Sequence, residues 1–146
     1  MKISVKTDYA ARAVFGLAKR YEQGQPIPVE KLGEEYGISP KFLSLILLDL
    51  KRARLVRSVR GKDGGYTLAQ SPGEITLGMI IRAMQPEVFD LGAVPMEQTP
   101  PSLRRAWGSL GESVRSASDQ ISVQDLLDWA VESDEMYYIG RAKCRT

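Results

Sequence analysis

Gly37-Ile38-Ser39-Pro40-Lys41-Phe42-Leu43-Ser44-Leu45-Ile46-Leu47-Leu48-Asp49-Leu50-Lys51-Arg52 is the stretch that decides the fold of this chain. Glycine readily takes the left-handed conformation that ends a helix. Serine before proline is a helix start, the hydroxyl capping free backbone amides and the ring occupying the first helical position. One helix therefore stops at Gly37 and another begins after Ser39. In the second, Leu43, Ile46, Leu47 and Leu50 recur at i, i+3, i+4 and i+7 and form one core-facing stripe. Upstream of Gly37, Val29–Tyr36 reads as a short helix with Leu32 on its apolar side. Two helices joined by so short a turn make a helix-turn-helix.

Working outward, residues 56–60 read as a strand, Gly61-Lys62-Asp63-Gly64-Gly65 as a glycine-rich turn, and 66–69 as a returning strand with Tyr66 and Leu68 alternating. A hairpin directly after the second helix is a wing. Ser71-Pro72-Gly73 breaks the chain, and Thr76 caps a helix carrying Leu77, Ile80, Ile81 and Met84. Towards the N terminus, Thr7-Asp8 is the expected cap of a first helix reaching residue 21 or 22, with Ala10, Ala13, Val14, Leu17, Ala18 and Tyr21 at helical spacing. Pro86, Pro95, Pro100 and Pro101 and the lack of a helical period predict a loop or linker over 86–101. Ser102 is expected to open a helix with Leu103, Ala106, Trp107, Leu110 and Val114 on one side, and Ser122 to cap a last one. The fold class is mainly α: a winged helix-turn-helix over 1–85, a linker over 86–101, and a C-terminal helical dimerisation segment over 102–146.

A chain of 146 residues, 43% hydrophobic, has room for one core with a helical extension. The apolar run from Leu43 to Leu48 is far short of a membrane span, and Met1-Lys2-Ile3-Ser4 opens no secretory signal, so a cytoplasmic location without membrane contact is expected. With no histidine and one cysteine, serine-histidine and cysteine-histidine catalysis are excluded and the usual metal-ligand sets cannot be assembled. An enzyme is not expected. The charge is asymmetric: residues 1–70 hold 13 Lys and Arg against 7 Asp and Glu, and residues 71–146 hold 7 against 11. Between positions 41 and 62, Lys41, Lys51, Arg52, Arg54, Arg57, Arg60 and Lys62 face only Asp49. This is either a solvated basic face or the footprint of a polyanion partner.

The order of elements, the opening Met1-Lys2-Ile3-Ser4 with Tyr9-Ala10 and Leu17-Ala18, and above all Ser58-Val59-Arg60-Gly61-Lys62-Asp63-Gly64-Gly65-Tyr66-Thr67-Leu68 followed by Ile75-Thr76-Leu77 and Ile80-Ile81-Arg82-Ala83 are similar to one family. The chain resembles the IscR/NsrR/CymR family of winged-helix transcriptional regulators, the Rrf-two superfamily, and falls nearest the CymR branch. Where that family has Gly-Leu-Val after the recognition helix, this chain has Arg54-Leu55-Val56. The resemblance implies a DNA-binding repressor that forms a homodimer, the helix after 102 crossing its counterpart through Leu103, Ala106, Trp107, Leu110 and Val114. A core helix within one chain is the alternative for that segment.

The residues expected at duplex DNA are Lys6, Ser39, Lys41, Phe42, Ser44, Leu45, Arg52, Arg57, Arg60, Gly61, Lys62 and Gly64. Glycines let a wing pass close to phosphates, and an arginine at its tip suits the negative potential of a narrow minor groove. The bland alternative is an ordinary tight turn. Lys41, Arg52, Lys6 and the amides near Ser39 would position the recognition helix on phosphates. IscR-type members carry polar residues such as Glu and Gln at the places of Ser44 and Leu45; here the face holds Leu45 and Leu48, which either meet thymine methyl groups or pack within the chain.

Cluster-holding members of the family use three cysteines between the fourth and fifth helices, and residues 86–107 contain none, so no iron-sulfur cofactor is expected. Cys144, flanked by Arg141, Lys143 and Arg145, is either a redox site or incidental. The CymR resemblance also implies cysteine synthase, or another metabolic enzyme, as a partner. Met136-Tyr137-Tyr138-Ile139 looks like a tail for that enzyme, but Ile139 is followed by seven residues and lacks a free carboxylate, so no tight complex is expected.

Overall fold

The computed structural model describes residues 1–90 and 94–133. Among them are six α-helices and one antiparallel pair of strands: α1 Val5–Ala18, α2 Val29–Tyr36, α3 Pro40–Arg52, β1 Val56–Val59, β2 Gly65–Leu68, α4 Leu77–Met84, α5 Pro101–Gln120 and α6 Val123–Glu132. Short 3-10 turns cover Tyr21–Gln23 and Pro86–Phe89. No described helix is long and apolar enough to cross a membrane.

The local signals around α3 act as expected. Gly37 ends α2 in the left-handed region at φ 67°, and the Ser39 hydroxyl accepts from the Phe42 amide at 3.3 Å with Pro40 as the first helical residue. Thr76 caps α4, and Ser122 caps α6 in a reciprocal box with Asp125. Arg54 adopts φ 62°, the conformation that glycine would take most easily at this point.

Three expectations are corrected. Helix α1 starts at Val5 and ends at Ala18, earlier at both ends than Thr7-Asp8 and Tyr21 implied. Ser4 is the cap, accepting from the Thr7 amide, while Thr7 itself is buried and its hydroxyl donates to Gln85 at 3.1 Å. A residue held by a partner 78 positions away cannot be recognised from local spacing. Helix α5 opens at Pro101 rather than under a Ser102 cap and runs on to Gln120. The stretch after Pro86 begins with an ordered turn, because Phe89 is buried and the Arg115 guanidinium of α5 lies 5.6 Å from its ring centre.

Leu43, Ile46, Leu47 and Leu50 of α3 are all fully buried, against Ala10, Ala13, Val14 and Leu17 of α1 and Leu32 of α2. Alanines at two positions of the α1 face let the helices approach closely, and α1 packs on α2, α3, α4, α6 and β2 alike. Helix α6 folds back onto α1 and contributes Val123 to the same core. The wing is anchored at its base by a further pairing, Ile27 and Tyr66 exchanging two backbone hydrogen bonds of 3.0 Å. Gly65 is required there, since a Cβ would run into the Ile27 carbonyl.

Helix α2 is pinned to α1 by Glu35, which accepts from Lys19 at 2.5 Å and Arg20 at 2.6 Å. Burial works against ionisation of Glu35, but the hydrogen bonds and charges of Lys19 and Arg20 outweigh it and hold the carboxyl below its ordinary value of 4.5. Lys19 also lies over the rings of Phe15 and Tyr36. A depressed carboxyl contributes stability above its unfolded pKa and loses that contribution as pH falls through the folded value. Glu35→Gln should therefore melt lower at neutral pH and lose less stability than the parent on acidification below about pH 4.5. Thermal melts of both proteins across a pH series check this; parallel curves would refute it.

Candidate nucleic-acid interface

Opposite its buried stripe, α3 carries a second face. Lys41, Ser44, Leu45, Leu48 and Arg52 are exposed on it, with Leu45 at 56% and Leu48 at 40% exposure. Among the described residues neither leucine belongs to the buried core. The Ser44 hydroxyl donates to the Pro40 carbonyl at 2.8 Å, which occupies its proton. Phe42 is half-buried, edge-to-face with Tyr9 at 5.9 Å, so it supports the start of α3 from the side.

The one acid of the basic stretch is neutralised. Asp49 accepts from Lys6 at 2.7 Å and from Arg52 at 3.3 Å, and these cations, Lys6 foremost, hold its carboxyl below the usual range. Lys6, expected at phosphate, thus has its ammonium committed to Asp49. No sequence signal joins positions 6 and 49. Lys51 donates to the Ser58 hydroxyl at 2.6 Å and ties the end of α3 to β1.

In the wing, Val56 pairs with Leu68 and Val59 with Gly65. Arg57, Arg60, Gly61 and Lys62 are exposed, and Arg57 donates to the Ala69 carbonyl at 3.2 Å. Gly61 has φ 114°. Gly64 is half-buried, donates to the Gly61 carbonyl at 3.1 Å, and a Cβ on it would strike the Val59 carbonyl, so the turn itself demands glycine there.

Every residue from 101 to 110 is exposed, including Leu103, Ala106, Trp107 and Leu110, while Val114 is half-buried. The following part of α5 lies against α4, where Arg82 donates to both oxygens of Asp119 at 3.2 and 2.7 Å. Cys144 and Met136-Tyr137-Tyr138-Ile139 lie outside the described residues.

The family model described as an iron-dependent transcriptional regulator, Rrf2, matches residues 3–129. The chain is 30% identical to the regulator CymR of Bacillus subtilis over 137 residues, covering 94% of this chain and 97% of that protein. The solved structure of the same CymR, described as a global cysteine regulator, superposes with a TM-score of 0.78 at 29% identity, over 88% of this chain and 98% of that one. The structure of T. potens IscR gives a TM-score of 0.75 at 31% identity, over 94% and 97%. The chain has one cysteine and no histidine, and among the described residues no three Cys, His, Asp or Glu side chains gather as a metal site. With helix-turn-helix, wing, protruding α5 and matching sequence together, the chain belongs to the Rrf2 family of transcriptional regulators.

Proposed function

We propose that the protein is a cluster-free repressor of the cytoplasm that binds a pseudo-palindromic operator as a homodimer, α3 entering the major groove and the wing tip the adjacent minor groove. The observation that carries this is the outward face of α3, bracketed by Lys41 and Arg52 and cleared of negative charge by the Lys6–Asp49 pair. The apolar, exposed first half of α5 supports pairing with a second copy, because Leu103, Trp107 and Leu110 stay exposed among the described residues. Two α3 helices related by a two-fold axis would then enter successive major grooves about one helical turn apart.

Sedimentation at micromolar concentration, together with mobility shifts on a genomic duplex pool at low salt, tests this. A monomer that shifts no duplex would overturn it. Protein purified without oxygen should be colourless and bind equally with and without added iron and sulfide; iron-linked visible absorbance would overturn the cluster-free state.

Arg60→Ala should weaken binding to the selected operator by roughly 1 to 3 kcal/mol, about five- to 150-fold, with a smaller loss on random duplex. Lys41→Ala should lower both about equally, as a phosphate contact does. Equal losses on operator and random DNA for Arg60→Ala would remove Arg60 as a reader of groove shape.

A further inference from the structure

On α3, positions 41, 45, 48 and 52 are separated by four, three and four residues, so Lys41, Leu45, Leu48 and Arg52 form one line along the exposed face. Eleven helical rises carry this line about 16 Å, more than the roughly 12 Å width of the major groove. Cations thus stand at the two ends of the line, where they can meet phosphates, with the two leucines between them.

The middle of this face holds few groups for hydrogen-bonded readout. Leu45 and Leu48 offer none, the Ser44 proton is given to the Pro40 carbonyl, and the Asp49 carboxylate is occupied by Lys6 and Arg52. What remains is apolar contact surface, and the apolar feature of a pyrimidine edge in the major groove is a methyl group on C5. Thymine carries it, and 5-methylcytosine carries it at the same ring position. The two differ in the neighbouring group, a carbonyl acceptor on one and an amino donor on the other. A surface without hydrogen-bonding groups is blind to that difference.

We propose that Leu45 and Leu48 read C5-methyl groups in the major groove, so that 5-methylcytosine substitutes for thymine at the positions they face and unmodified cytosine does not. This rests on the DNA-binding reading above. It makes the operator responsive to cytosine methylation and distinguishes this chain from a regulator that reads the same positions through side-chain amides or carboxylates.

The test begins with a duplex selected from a randomised library by the full chain. Thymines are then replaced one at a time by deoxyuridine, and at each sensitive position by cytosine and by 5-methylcytosine paired with guanine. Loss of one buried methyl group corresponds to about a four-fold weakening. The expected order at a sensitive position is thymine equal to 5-methylcytosine, both about four-fold tighter than uracil and cytosine. Leu45→Ala and Leu48→Ala should each abolish the methyl response at one position; both side chains are exposed, so thermal melts should match the parent. Equal binding of thymine and uracil duplexes by the parent, or a thymine preference that survives both substitutions, would overturn the proposal while leaving DNA binding intact. A change in sedimentation with unaltered DNA binding in the leucine variants would assign the face to a second copy and overturn it as well. Failure to select any duplex would refute the DNA-binding reading and this inference with it.

Discussion

Raising monovalent salt from about 50 to about 200 mM should weaken operator binding on the order of 10³- to 10⁴-fold. Lys41, Lys51, Arg52, Arg57, Arg60 and Lys62 are all exposed between α3 and the wing tip. Three of them are partly engaged, Lys51 by Ser58, Arg52 by Asp49 and Arg57 by the Ala69 carbonyl. About three or four phosphate contacts per copy remain, and about six to eight for a dimer, which gives a slope of log affinity on log salt of about −5 to −7. A monomer would show about half that slope, so the same titration reports stoichiometry. High affinity with a slope no steeper than about −2 would mean that the basic stretch is only a solvated face.

The second large effect separates two adjacent leucines. Leu47 is fully buried and Leu48 is 40% exposed. Leu47→Ala should destabilise the fold by about 2 to 5 kcal/mol, because it removes apolar contacts and leaves a cavity among α1, α3 and their neighbours. That is a large part of the roughly 5 to 15 kcal/mol that holds a domain of this size together. Leu48→Ala should change stability by less than about 0.5 kcal/mol and act on binding instead. Denaturant titration of both variants checks this, and similar midpoints would show that the two faces of α3 are assigned wrongly.

Around α3 the chain is legible because its signals are short-range. A capping serine, a proline at the first turn and a left-handed glycine act within four residues, so Gly37, Ser39 and Pro40 mark their boundaries whatever surrounds them. The stripe of Leu43, Ile46, Leu47 and Leu50 is likewise a consequence of helical period. Wing glycines at 61, 64 and 65 were legible as a turn, although the reason for Gly65 lies in the Ile27 carbonyl, 38 positions away.

What the sequence by itself determined is thus the helix-turn-helix, the wing, the family and the concentration of positive charge between 41 and 62. Only the tertiary structure decided where α1 begins, that α6 returns to α1, that Lys6 neutralises Asp49, and that Leu45 and Leu48 stay uncovered. Each of these depends on groups brought together from distant parts of the chain. Hydrophobicity states that a leucine gains from cover; it does not state whether another element lies close enough to provide it. On α3 both faces carry leucines at helical spacing, and the placement of α1 on one side alone makes one of them core and the other a surface.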